Sequence, residues 1–345
     1  MRAVRVDRRT GGYVVSDVPR PRPAAGEVLI RVGAAGVGRI DVDLLGSQFV
    51  PKQGIRGDVT PGHEVAGTVA APGAGVDGWP LGRRVAVHPF APRPPGSFGA
   101  ERMLGIDRDG GWADYVVTPA STLVPIPDDL SFAHAAVLTS AVAVPWSALT
   151  GPAGPRPGES VGIWGAGGLG VHAVQLARLV GAAPVIAVDP AAAARARAVR
   201  AGADLALDPA APDLEASLHA ATRGALLDVA LDFCGVGTAQ QQMIGALADK
   251  GRAVLAGLSG SPLGGADATE FALSGRWIVG HGGSRVTDLA RLVRLVELGR
   301  VDLSSSVDAV LPLEGVSDAV RRVVEEPGAT ARVVLRPRPA APRHY

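Results

Sequence analysis

Three glycines, Gly165, Gly167 and Gly170, stand in G-x-G-x-x-G register within the run Gly165, Ala166, Gly167, Gly168, Leu169, Gly170, and an acid, Asp189, follows about 20 residues later. In this register the first glycine makes a tight turn. The second lets the backbone approach a pyrophosphate, and the third lets a helix pack on a strand. The elements that must position these residues are legible on both sides. Val161–Trp164 is a short apolar run without helical spacing, whereas Val171, Val174, Leu176, Leu179 and Val180 recur at helical intervals. A second apolar run, Val185–Val188, ends in Asp189. The helix start offers unpaired N–H groups and a partial positive charge to a diphosphate, and the acid is placed to accept hydrogen bonds from a ribose diol. A glycine turn alone is weak evidence in a chain with 46 glycines. Strand, turn, helix, strand and acid in sequence make a dinucleotide site. The expected cofactor is NAD, with NADP as the alternative; Asp189 opposes a 2′-phosphate, and Arg195 and Arg197 on the next helix soften that opposition. Cys234 and Gly235, at the end of a later strand, are assigned to the same site.

The 345 residues suit two domains, and 47% hydrophobic with 19% charged residues is ordinary for a soluble globular protein. A net charge of +1 gives no case for a nucleic-acid or membrane-surface partner. The first residues lack an apolar core of signal-peptide length. The longest apolar stretch, 133–149, is interrupted by His134, Thr139, Ser140 and Pro145, so it reads as a buried helix rather than a membrane span. The single cysteine, Cys234, excludes an intramolecular disulfide and any multi-cysteine zinc site. These features point to a cytoplasmic enzyme acting on a small molecule. Residues 1–120 read as strands (26–32, 67–70 and Arg84–Val87) punctuated by Gly and Pro. From Phe132 onward strands at 227–233, 252–258 and Trp277–Gly280 alternate with helices around 191–201, 238–249 and 287–298, which implies a parallel doubly wound sheet. A helix near 313–326 and a strand at 331–335 return to the first unit.

The motifs Gly62-His63-Glu64, Gly82-Arg83-Arg84-Val85, Gly111-Trp112-Ala113-Asp114-Tyr115, the Gly165–Gly170 turn with Asp189, and Arg332-Val333-Val334 resemble the medium-chain dehydrogenase/reductase superfamily, in its zinc alcohol-dehydrogenase-like branch, over nearly the whole chain. The resemblance implies an α/β protein with a GroES-like β-barrel catalytic domain, 1–140 with 285–345, and a Rossmann domain with a doubly wound parallel sheet, 141–284. It also implies an active site between the domains, and a homodimer or homotetramer built through the Rossmann sheet.

The chain departs from that family where zinc is held. The two cysteine positions of the catalytic zinc correspond to Gly38 and, by spacing, Ser140, so only His63 remains. Ile40 stands at the usual proton-relay Ser/Thr, and the loop 86–109 lacks the four cysteines of a structural zinc. A catalytic zinc needs three protein ligands and an open position, so none is expected, although Asp41, Asp43 or Glu64 would be the substitute ligands. Without zinc, alcohol oxidation loses the device that lowers the alcohol pKa. Hydride delivery to an activated C=C, C=O or C=N needs only donors at the developing charge and a proton source. The expected function is therefore a zinc-independent NAD(P)H oxidoreductase. A redox-neutral enzyme (cyclisation, elimination or epimerisation) and a non-catalytic dinucleotide-binding protein are the rivals. His63 with Asp41 is the expected acid pair, assisted by Ser140; the competing reading of His63 is a relic held structurally. Arg332 is the expected phosphate contact, and Arg39, Asp43, Phe49, Glu64, His88 and Phe90 are the expected pocket residues.

Overall fold

The structure, a computed structural model, describes residues 1–7, 12–43, 59–91, 102–258, 263, 267–326, 328 and 330–337. The N-terminal hairpin β1 (Arg2–Asp7) and β2 (Gly12–Asp17) precedes the long strand β3 (Glu27–Val37), whose Val28, Ile30 and Val32 face the barrel core. Helix α1 (Arg39–Asp43) follows, then β4 (Val65–Pro72), β5 (Arg84–Val87), the short pair β6 (Phe90–Ala91) and β7 (Arg102–Met103), β8 (Tyr115–Pro119) and β9 (Leu123–Pro125). β3 pairs with β4, β8 and, from the far end of the chain, β17 (Val333–Arg336), so one strand organises the barrel. Trp112 fills the interior, its indole N–H donating to Gly36 O at 2.9 Å.

A continuous helical run, Phe132–Thr150, carries the chain out of the barrel and is 78% buried. It comprises α2 (Phe132–Val137), a π turn at Leu138–Val142 and α3 (Ala143–Thr150). Its apolar length is that of a membrane span, but its side chains form the core that joins barrel and sheet.

The second unit alternates β10 (Val161–Trp164), α4 (Gly170–Leu179), β11 (Val185–Val188), α5 (Ala192–Arg200), β12 (Leu205–Leu207), α6 (Leu214–Ala221), β13 (Leu227–Asp232), α7 (Gly237–Gly245), β14 (Leu247–Leu255), α8 (Ala268–Ser274) and β15 (Trp277–Gly280). The six strands are parallel in the order β12-β11-β10-β13-β14-β15. Every residue of β10 and β11 is buried, as a sheet covered on both faces requires. Helix α9 (Val286–Glu297) leads back to β16 (Ala309–Pro312), α10 (Val316–Glu325) and β17, and the last two strands complete the barrel sheet.

Several boundaries differ from the periodicity: β3 runs on to Val37, β4 spans Val65–Pro72, and β14 begins at Leu247, inside the expected helix 238–249. β13 stops at Asp232 because its carboxylate turns back to accept the amides of Cys234 and Gly235. β14 stops at Leu255 rather than running to 258, since the amides of Ala256 and Gly257 leave the ladder for Asp232 O. β12, α6 and α8 were not anticipated; β12 is only three residues long and gives no periodic signal.

Candidate active site

The glycine turn sits between β10 and α4, at the point where the strand order reverses, the usual place for a ligand crevice in an open α/β sheet. Gly165 has φ +86°, a conformation that excludes most side chains, and its Cα faces Cys234. A side chain at Gly167 would enter open space, with no heavy atom within 4 Å of its Cβ position. That opening, lined by the start of α4, fits a diphosphate. Ala166 and Leu169 lie within the turn, and a Cβ at Gly168 would lie 3.3 Å from Arg332 Cζ, so the guanidinium of Arg332 stands beside the turn. Asp189 follows directly on β11 and accepts the amides of Ala166 and Ala191, each at 2.8 Å, which ties its carboxylate to the glycine turn. Arg195 is held by Asp208 at 2.9 Å and by the carbonyls of Asp189 and Pro190, and Arg197 donates to Gly328 O. Cys234 packs at the crevice wall, its thiol pushed up to about 12 by burial and by Asp232; it stays protonated and is no nucleophile near neutral pH. Asp232 was missed from the sequence. It gathers Cys234, Gly235 and Gln240 around one buried carboxylate, and a strand-ending Asp before Cys-Gly was the available signal.

The barrel side of the cleft brings Asp41, His63 and Ser140 into one chain of hydrogen bonds. His63 Nδ1–H donates to Asp41 Oδ1 at 2.9 Å, and His63 Nε2 lies 3.2 Å from Ser140 Oγ. Asp41 is fixed by the amides of Gly38 and Gly62, at 2.9 and 3.1 Å, and Tyr13 O–H donates to its carbonyl. Ser140 sits in the π turn, a local widening of the helix that aims its hydroxyl at the imidazole. Exposure rises outward along the chain, from 0% at Asp41 to 3% at His63 and 8% at Ser140. Ser140 Oγ has no partner but His63 among the described residues. Gly38 makes this arrangement possible: a Cβ there would lie 2.9 Å from His63 Cε1 and 3.3 Å from Asp41 Oδ2.

Burial alone would lower the His63 pKa, but the Asp41 carboxylate, with Glu64 behind it, outweighs burial and the opposing Arg332, and the net shift is upward from 6.5. Charge counting agrees. Asp41, Glu64 and Arg332 sum to one negative charge, which a protonated His63 cancels. Glu64 is raised by burial, with Arg332 pulling it back.

Several expected pocket residues stand elsewhere. Glu64 is fully buried, accepts the Ala141 amide at 3.1 Å and pairs with Arg332 at 3.0 Å; it ties elements together and forms no pocket wall. His88 donates through Nδ1 to Phe90 O at 3.0 Å, while Nε2 faces the Ser284 hydroxyl at 3.2 Å. His88 and Phe90 thus join the barrel to the chain after β15, with Phe90 packed on Gly283, and neither ring nitrogen of His88 is left for a substrate. Arg39 is exposed on α1. Phe49 and the side chain of Asp43 lie outside the described residues. His172, given no role from the sequence, is buried in α4 with Nε2 unpartnered; burial and Arg332 push it down to about 3, so it is neutral.

No cluster of three or more His, Cys, Asp or Glu suited to a metal occurs among the described residues. At the positions where the family holds zinc stand a glycine, a histidine with both ring nitrogens engaged, and a neutral serine. This donor set does not fit a catalytic zinc.

Residues 24–128 match the alcohol dehydrogenase GroES-like domain and residues 168–297 match the zinc-binding dehydrogenase domain. The chain is 31% identical over 352 residues to an NAD-dependent alcohol dehydrogenase of Sulfurisphaera tokodaii, covering 98% of this chain and 100% of that one. The alcohol dehydrogenase of Aeropyrum pernix superposes with a TM-score of 0.88 at 27% identity, over 98% of this chain and 100% of that one. A Sinorhizobium meliloti protein described as a zinc-binding dehydrogenase, and bound to NADP, superposes with a TM-score of 0.86 at 27% identity, over 97% and 99% of the two chains. With barrel, Rossmann sheet and glycine turn in their places, the chain belongs to the medium-chain dehydrogenase/reductase superfamily, in its zinc alcohol-dehydrogenase-like branch.

Proposed function

We propose that this oxidoreductase works without zinc, reducing an activated C=C, C=O or C=N of a small organic molecule at the expense of NAD(P)H. The observation that carries the reading is the Asp41–His63–Ser140 chain standing where the family keeps its metal ligands. The cofactor supplies the hydride. This chain's residues supply the proton. With His63 protonated, both ring nitrogens donate, one to Asp41 and one to Ser140 Oγ, which leaves the Ser140 O–H to donate to the substrate atom gaining negative charge. As that proton leaves, His63 Nε2–H refills the serine, and Asp41 holds the ring in place. Substrate carbon gains the hydride and substrate oxygen, carbon or nitrogen gains the proton, so the reduction balances.

The test is direct. Protein purified without chelator should hold well under one zinc per chain by elemental analysis, and chelators should leave NADH oxidation with an acceptor panel unchanged. One tightly held zinc per chain, or turnover with no net change in cofactor, overturns the reading.

NAD is the preferred cofactor in this proposal, because the Asp189 carboxylate opposes a 2′-phosphate by charge and by space. Asp189→Gly should shift preference toward NADPH, with some loss of thermal stability since two backbone amides lose their acceptor. Tighter binding of NADPH than NADH by the unaltered protein defeats the assignment.

The proposal includes a cytoplasmic homodimer formed through the sheet edge. β15 is an outer strand of the Rossmann sheet, with Trp277 60% exposed and Leu273 on neighbouring α8 84% exposed. Light scattering should give twice the chain mass, and Trp277→Glu should give the monomer. A monomeric unaltered protein removes this part.

A further inference from the structure

The loop 86–109, whose family counterpart carries cysteines, ends in a feature that the cleft chemistry does not use. A cavity of about 410 Å³ lies on the outer side of the barrel. None of Asp41, His63, Ser140, Arg332 or the glycine turn lines it. The cavity is therefore not the hydride-transfer cleft.

Its polar lining is unusual in charge. Arg102 and Arg108 both face it, brought alongside each other by a reversal in which Asp107 accepts the Met103 amide at 2.7 Å and Leu104 bridges Arg108. Arg108 donates to Thr118 Oγ1 at 2.8 Å, yet its Nε is buried without a partner. Arg102 reaches only the Asp107 carbonyl, at 3.5 Å. Neither makes an ion pair among the described residues. The other lining arginine, Arg5, is already paired with Asp109 at 3.0 Å. Glu27, the remaining acid, is held by the Ala24 amide at 3.0 Å. Burial pushes the Arg108 guanidinium down to about 10, against the pull of Glu27 and Asp107 and with the like charge of Arg102 adding to the fall.

Two neighbouring guanidinium groups with no carboxylate in ion-pair contact among the described residues repel each other. A carboxylate satisfies both at once, because its two oxygens match the planar guanidinium fork. The rest of the lining is largely apolar, with Val18, Pro21, Val117 and Pro119 among the walls. A free phosphate would leave that surface bare and bring a second negative charge toward Glu27. The volume is in the range of small-molecule sites. We propose that this cavity binds a small organic carboxylate, its carboxyl group held between Arg102 and Arg108, and its apolar body against the valine and proline walls.

Octanoate is a suitable probe, titrated calorimetrically into the full chain with NADH at saturation so that the cleft is occupied. One binding event per chain is expected. Arg102→Met and Arg108→Met should each weaken it by about tenfold or more, the loss of a charge-assisted hydrogen bond. NADH affinity should be unchanged in both. Arg102 is half-buried, so Arg102→Met keeps the test open if Arg108→Met fails to fold. Absence of binding, binding that NADH abolishes, or binding unaltered in Arg102→Met overturns the proposal. So does 1-octanol binding as well as octanoate, since the carboxylate would then be irrelevant, or inorganic phosphate competing at equal affinity, since the apolar walls would then contribute nothing.

Discussion

His63→Gln lowers the rate of substrate reduction by about 10²–10⁴-fold, the range for losing a general acid. Glutamine fits the space and keeps a polar end near Ser140, but it cannot deliver a proton to the serine as the substrate draws one away. NADH affinity should stay within about twofold, because the glycine turn and Asp189 lie in the other domain and make no contact through His63. Steady-state rates and NADH fluorescence titration measure the two quantities. A folded His63→Gln protein that turns over near the unaltered rate would take His63 out of the mechanism and leave Ser140 without its proton source.

The same group sets the pH behaviour. Asp41 holds His63 above its ordinary value of 6.5, so the donor form persists to higher pH than in a free imidazole and is lost as pH rises through that raised value. The reduction rate should show an alkaline limb above pH 6.5, and His63→Gln should remove it. Stability follows the same direction. The imidazolium–Asp41 pair contributes fully below the unfolded pKa of His63 and loses its contribution as pH rises through the folded one. Thermal melts across that interval should show the decline in the unaltered protein and a flatter profile in His63→Gln.

The parts of this molecule that were legible in the sequence are those fixed by local backbone geometry. Gly165 needs its positive φ, β10 and β11 need unbroken apolar runs, and Asp189 must end the second of them; all of these requirements fall within one short stretch. The proton chain is different. His63 meets Asp41 across 22 residues and Ser140 across 77, and no periodicity links them; only the family resemblance put the three together. Ser140 was expected to assist His63, but the π turn that frees its hydroxyl has no sequence signature. Glu64 was expected among the pocket residues. Its side chain points the other way, to an arginine near the end of the chain, and a charge pair so distant cannot be read from spacing. Asp232 was missed for the complementary reason: it looked like the polar end of a strand, and the four hydrogen bonds it gathers from Cys234, Gly235 and Gln240 become apparent only when the turn after β13 is seen.

Arg332→Ala should be the most destabilising single change at the cleft, by about 3–5 kcal/mol, the cost of removing one partner from a buried ion pair. Arg332 pairs with Glu64 at 3.0 Å, donates to Val37 O at 3.3 Å and stands against the glycine turn, so it joins both domains through one guanidinium. Glu64 would be left with the Ala141 amide and an Oε2 that already lacks a partner. Burial holds its pKa above 4.5 even with Arg332 present, and without that charge it would rise further. The variant's deficit should therefore grow as pH rises through the raised Glu64 value and shrink in acid, where the carboxyl is protonated in both folded and unfolded chains. NADH affinity should fall as well, because the same guanidinium faces the turn that cradles the diphosphate. Arg332→Ala with added Glu64→Gln separates the two effects. The double variant should recover most of the stability at pH 8, since no unpaired buried charge remains, while NADH binding stays weak. Failure of stability to recover would mean that the loss came through the guanidinium bond to Val37 O and not through Glu64, and full recovery of NADH binding would remove Arg332 from the cofactor site.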